Sequence, residues 1–210
     1  MAVTGVIFVL FVLIHMYGNL KMFFGPEAYD GYAEHLRVVG EPYLPREGVL
    51  WILRVVLTAS LLIHLYAVGR TWSASRAARG TPYSKVNRVQ QTYSSRTMRW
   101  GGLIILAFIV FHLLQFTILV VHVGGDYDVL GPYERMVAAF NVPVLYLAYF
   151  VAMALLAMHV RHGVWSALTT WGLNKERRTA TINLIAVLVA LALFVGFMAP
   201  PTAILLGWIA

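Results

Sequence analysis

The chain has 210 residues, 60% of them hydrophobic and only 12% charged, with a mean hydropathy of +0.74. A soluble domain is nearer half apolar and a quarter charged, so this composition excludes an ordinary water-soluble globule. The absence of cysteine excludes disulfides, thiolate-held iron–sulfur clusters and C-x-x-C-H haem attachment within the chain.

Apolar runs of about 20 residues, enough to cross about 30 Å of hydrocarbon, recur five times. The first, Ala2–Phe24, contains His15; it is too long for a removable signal peptide and has no small-residue cleavage site after it. The second, Gly48–Val68, contains His64, and the third, Gly101–Val121, contains His112. The fourth, Val142–Trp165, contains His159 and, three positions later, His162. The fifth, Ala180–Trp208, has no histidine. The expected fold is all-α: one polytopic transmembrane domain over residues 1–210, with a histidine-bearing four-helix core and the fifth helix peripheral to it.

The net charge of +7 reads as topology, with no nucleic-acid partner implied. Arg70, Arg76, Arg79, Lys85, Arg88, Arg96 and Arg99 join spans two and three with no acidic residue among them. Lys175, Arg177 and Arg178 stand against Glu176 between spans four and five. The other two connections hold Glu27, Asp30, Glu34, Glu41, Glu47, Asp126, Asp128 and Glu134 with few bases. Lysine and arginine near span ends bias a loop to the cytoplasm. The N-terminus is therefore expected inside and the C-terminus outside; the basic face could also bind anionic lipid or an acidic partner.

Imidazoles are costly in hydrocarbon, so an intramembrane histidine is a functional hypothesis by default. Topology turns position into depth. His64 and His159 each lie six residues before the inner end of an inward-running span, about 9 Å below it. His15 and His112 lie nine or ten residues from the outer end of outward-running spans. The expected couples are His64 with His159 and His15 with His112, the arrangement two membrane-embedded haems with bis-histidine ligation require. Nearly equal intervals separate the members of each couple, and ASLLIHLYAVG and ALLAMHVRHGV are faintly alike, as a duplicated hairpin would be. Facing helices of a bundle build cofactor sites in this way.

A macrocycle also needs room. Gly18 follows His15 by three and Gly163 follows His159 by four, with Ser60 four before His64; residues at these offsets share a helix face. The competing reading of any one histidine is a helix–helix hydrogen bond, and of small residues close helix packing. His35 and His122 fall at the outer boundary, where solvation is expected, and His162 lies closer to the cytoplasmic interface than His159.

With these residues placed, the chain resembles the cytochrome b membrane anchor of succinate dehydrogenase and fumarate reductase, in its single-subunit, five-helix, dihaem form. MAVTGVIFVLFVLIHMYGNLKMFFG is similar to that family's first helix, and HVRHGVWSALTTWGL to its fourth, where a ligand histidine precedes a glycine by four; this offset selects His159 over His162. Members usually carry a cytoplasmic segment before the first helix, whereas this chain starts almost inside the membrane. The resemblance implies a bacterial cytoplasmic-membrane subunit of respiratory complex II that anchors a flavoprotein subunit and an iron–sulfur subunit, as part of a complex that can itself be a homo-oligomer. Electrons from the partner clusters would reach a proximal haem b at His64 and His159, then a distal haem b at His15 and His112, then a quinone, commonly menaquinone.

Haem propionates need cationic or hydrogen-bonding neighbours; Arg54, Arg161, Arg70 and Asn19 are candidates, with snorkelling the other reading of Arg54 and Arg161. For the quinone, GYAEHLRVVGEPYLP places Glu34, His35, Arg37 and Glu41 near the distal couple, with a solvated acidic loop as the other reading. A quinone site at the cytoplasmic interface near Trp72, Trp100 or Trp171 is the alternative, though interfacial tryptophans are commonly anchors. Two competing functions remain at this level: a dihaem subunit of a hydrogenase, formate dehydrogenase or nitrate reductase, and a histidine-relay transporter or proton channel. The last should string titratable groups across the full depth, whereas these spans hold few carboxylates.

Overall fold

Backbone N–H and C=O groups in hydrocarbon must be satisfied within their own segment, and each apolar run accordingly folds as helix. The computed structural model describes residues 1–77 and 93–210. Arg79, Lys85 and Arg88 of the basic connection lie outside the described residues, as does the side chain of Arg96. The described helices are α1 (Ala2–Leu20), α2 (Pro26–Val38), α3 (Gly48–Ala77), α4 (Tyr93–Phe116), α5 (Pro132–Phe140), α6 (Pro143–Thr170) and α7 (Thr179–Leu205). Short 3₁₀ turns at Lys21–Phe24 and Glu176–Arg178 lead out of α1 and into α7. Five of these segments are long and apolar enough to cross a membrane.

The remaining two, α2 and α5, sit together at one end. Pro26 opens α2 and Pro132 opens α5, a position where the missing N–H is no loss. Glu27 lies in the first turn of α2 and His35 and Arg37 in its last, the placement that complements the helix dipole. The start of α5 is fixed by two carboxylates: Glu134 Oε2 accepts from the Gly131 N–H at 2.9 Å and Asp30 Oδ1 from the Tyr133 N–H at 2.9 Å. The second bond ties α5 to α2. Beneath them lies the largest buried cluster, built on Met22, Tyr127, Tyr133, Phe140, Leu145, Tyr149 and Ile204. Tight packing is therefore concentrated under this cap, while the spans turn large apolar side chains outward.

The opposite end is basic. Arg70, Arg76, Arg99, Lys175, Arg177 and Arg178 gather there with Glu176 as the acidic residue among the described residues. α3 is 30 residues long, about 45 Å at 1.5 Å per residue, so its last turns project beyond a hydrocarbon core. There Arg76 and Arg99 lie over the Trp72 ring at 5.6 and 5.5 Å, joining the end of α3 to the start of α4 by cation–π contact.

Two expectations need correction. The third span ends at Phe116, not Val121. The N–H of Ile118 turns back to the Leu113 carbonyl and that of Val120 to Leu114, with Leu119 at φ 61°; the chain then leaves the membrane direction and runs under the cap. The fifth span, expected to be peripheral, packs closely along α6 and also against α1. Its small residues Ala186, Ala190 and Ala203 are buried, and a side chain at Gly196 would run into Met16 of α1. The span with least internal packing is α3, only 6% of whose apolar stretch is buried within the chain.

Candidate cofactor site

Helix geometry aims the four histidines inward. Phe11 precedes His15 by four and stacks on it at 5.5 Å, and Phe108 precedes His112 by four and stacks at 5.8 Å. Each aromatic neighbour lies on the histidine's own helix face and restricts the ring. Phe116 on α4 and Phe197 on α7 close the other sides, 5.6 Å from His112 and 5.7 Å from His15. Phe8 of α1 meets His64 edge-on at 5.9 Å.

The structure brings the rings together in two couples: His15 and His112 with centroids 5.9 Å apart, and His64 and His159 at 6.4 Å. His162 instead lies against Trp165 at 6.1 Å. Two imidazoles bonded through nitrogen to one metal at about 2 Å, with about 1.1 Å from nitrogen to ring centre, have centroids about 6 Å apart. Both couples fit that spacing. The helices they join matter as much. α1 packs on α3, α6 and α7, and α4 on α6, but neither α1 with α4 nor α3 with α6 forms an extensive contact among the described residues. Histidine rings thus meet across intervals that the helix backbones do not close, which a planar macrocycle between them needs.

Hydrogen-bond contacts at the ring nitrogens of His64 and His112 are also suited to ligation. The Thr4 hydroxyl donates to the Met1 carbonyl at 3.0 Å and lies 3.0 Å from His64 Nδ1. A hydroxyl has one proton; with that proton on Met1, His64 Nδ1–H is the donor in the second contact, the tautomer whose Nε2 lone pair is free for a metal. His159 Nδ1 is buried with no hydrogen-bond partner, facing Gly102 of α4, where an added Cβ would sit 3.7 Å from the ring. His112 Nδ1 lies 3.2 Å from the Tyr149 hydroxyl. Behind it Tyr149 donates to Gln115 Oε1 at 2.8 Å, Gln115 Nε2 to Tyr127 Oη at 3.0 Å, and Tyr127 to the Val123 carbonyl at 3.0 Å. Burial pushes the Tyr127 phenol up from its ordinary value, keeping it a proton donor.

The flanking residues divide. No atom lies within 4 Å of where a side chain at Gly163 would start, so space is open there. Gly18 does not supply such room: a Cβ on it would come 2.8 Å from Tyr32 Cε1, because the α2 aromatic fills the gap. Asn19 donates to the His15 carbonyl at 3.0 Å, one turn back on its own helix. Arg54 stacks on Trp51 at 4.7 Å and pairs with Glu47 at 3.5 Å, so its charge is already matched. Arg70 is exposed and Arg161 half-buried at the basic end. At the capped end Glu34, His35, Arg37 and Glu41 are all exposed; Glu34 pairs with Arg37 and Arg46, and Arg37 also with Glu47.

Thr4, Gly102, Gln115, Tyr127 and Tyr149 are the residues that sequence reading passed over. One signal was present: Gln115 lies three positions after His112, on the same helix face, and an uncharged amide inside a span needs partners.

Five spans with two couples of partly buried imidazoles between them define a polytopic, all-helical membrane protein. The family described as succinate dehydrogenase/fumarate reductase transmembrane subunit matches residues 74–198, more than half of the chain, and the chain belongs to it. The protein is thus a membrane subunit of that oxidoreductase complex. The matched stretch includes His112 and His159 and begins beyond His15 and His64. No curated protein and no solved structure gives a match.

Proposed function

We propose that this chain is the dihaem anchor and quinone-reactive subunit of its complex, with His64 and His159 holding one haem b and His15 and His112 a second. The observation that carries this reading is the meeting of both imidazole couples, at 5.9 and 6.4 Å, across helices that otherwise stand apart. Held by these imidazole couples, the haems would supply one-electron exchange between the partner subunits' clusters and a quinone. The chain's own residues orient the four rings, keep water from them with Phe8, Phe11, Phe108, Phe116 and Phe197, and present cations for propionates at Arg70 and Arg161.

The basic end is the docking face for an iron–sulfur subunit carrying a flavoprotein subunit, and the positive-inside bias makes that end cytoplasmic. In this reading the membrane is the bacterial cytoplasmic one, with the N-terminus inside and the C-terminus outside. The quinone, menaquinone by the resemblance, is served at the capped end beside the exposed Glu34, His35, Arg37 and Glu41, where a carboxylate would pass protons to or from it. The test is haem content and the reduced-minus-oxidised spectrum of the purified complex. Low-spin b-type bands are expected, and His64→Ala and His15→Ala should each remove about half of the haem. Full haem in both variants would overturn the assignment; copurification of a flavin-containing subunit checks the partners.

A further inference from the structure

His112 ends a hydrogen-bond chain of defined direction. Val123 contributes a backbone carbonyl, which can only accept. The Tyr127 hydroxyl, 3.0 Å away, therefore spends its one proton there and must accept from Gln115. That fixes the Gln115 amide with Nε2 toward Tyr127 at 3.0 Å and Oε1 toward Tyr149 at 2.8 Å; the flipped amide would set its oxygen against a phenol with no proton left to give. Tyr149 in turn spends its proton on Gln115 Oε1, so its oxygen accepts from the ring nitrogen at 3.2 Å. Every link is interior: Gln115 and Tyr127 are 0% exposed and Tyr149 is 7% exposed.

We infer that Tyr149, Gln115 and Tyr127 are positioning residues that hold His112 as its Nδ1–H tautomer, with the Nε2 lone pair free for a metal and the ring made more electron-donating by the acceptor at Nδ1. This rests on the dihaem reading above. The couples differ in this respect. His112 is anchored through three side chains to a peptide carbonyl, whereas His64 leans on one hydroxyl and His159 Nδ1 on no partner. An acceptor at the outer nitrogen raises ligand basicity and favours the ferric state, which lowers the reduction potential of the iron bound there.

The test is Tyr149→Phe in the assembled complex, read by haem content, by potentiometric titration of both haems and by the ferric low-spin electron paramagnetic resonance signals. The expected result is full haem, a raised midpoint potential and a moved signal for one haem, and no change in the other. His15→Ala identifies which haem belongs to the His15–His112 couple. Tyr146→Phe is the control: its hydroxyl also sits on α6 but pairs with Thr202 at 3.1 Å, and it should leave both potentials in place. Full haem with both potentials unmoved in Tyr149→Phe, or a shift confined to the His64–His159 haem, overturns the inference while leaving the dihaem reading standing. A wild-type complex without b-type haem removes the reading itself. Should Tyr149→Phe lose its haem, Tyr127→Phe decides: it frees the chain to reverse, so a shift in the His112 haem supports the inference and an unmoved one overturns it.

Discussion

Gly124→Ala tests whether the cap is packed as described, because two separate penalties meet at this residue. Its φ is +79°, and a Cβ would stand 2.0 Å from the Ala138 carbonyl oxygen and 2.8 Å from its carbon. Left-handed backbone costs an alanine about 1–2 kcal/mol. The clash is with main chain of α5, so no rotamer change relieves it, and forcing the elements apart costs about 1–3 kcal/mol more. Against this, the unfolded chain loses about 0.4–1 kcal/mol of conformational freedom. The net loss is about 1.5–4 kcal/mol, a fall in Tm on the order of 5–15 °C for a chain of this size. Gly172→Ala separates the terms: it has φ +72° and no atom within 4 Å of the new Cβ, so it keeps the backbone penalty alone. Thermal unfolding of both variants in the same detergent measures the difference. Equal losses would refute the close approach of residue 124 to α5. On the dihaem proposal, a large loss also predicts that the site at His112 is disturbed first, since Val123 precedes the glycine and Tyr127 follows it by three.

Further outcomes follow from other contacts. On the dihaem proposal, Thr4→Val removes the hydroxyl beside His64 Nδ1 and should raise the potential of the proposed His64–His159 haem alone, by redox titration. Gln115→Leu takes the acceptor from the buried Tyr149 phenol, a loss of about 1–3 kcal/mol for the unsatisfied group, while Tyr127 keeps its bond to Val123; it should lower Tm more than Tyr146→Phe does. Burial, with the Asp30 carboxylate beside it, pushes the Tyr29 phenol up to about 12. Its stabilising contribution is complete below pH 10 and fades as pH rises from about 10 to about 12, since the unfolded phenol ionises first. Tyr29→Phe should flatten that part of a stability–pH curve measured by thermal unfolding. Asp30→Ala takes the acceptor from the Tyr133 N–H, a capping loss of about 1 kcal/mol, seen as a lower Tm.

Much of the architecture was readable before folding because the bilayer enforces simple rules. Length, hydropathy and arginine placement give five spans, and alternating direction converts position into depth, which is enough to pair His15 with His112 and His64 with His159. What escaped depended on contacts between distant parts of the chain. The run TILVVHV after Phe116 is as apolar as the span before it, so composition does not reveal the turn at Leu119. Gly18 looks like clearance for a macrocycle until α2 docks and Tyr32 fills it. Asn19 and Arg54 have the chemistry for a propionate, yet each finds a nearer partner in His15's carbonyl or Glu47. Gln115 was visible as a polar residue beside His112, but its role depends on a phenol from α6 and another from the segment beneath α5.

The Val123 carbonyl belongs to the peptide itself, and no codon change can convert it to a donor. Substitution can cut the links leading from it or shorten their reach, but the sense in which the protons point is inherited with the turn that follows α4. A sequence drifting at Gln115 or Tyr149 would loosen control of the ring, and one that lost the Tyr127 hydroxyl would cut the remaining links off from the carbonyl that sets their direction.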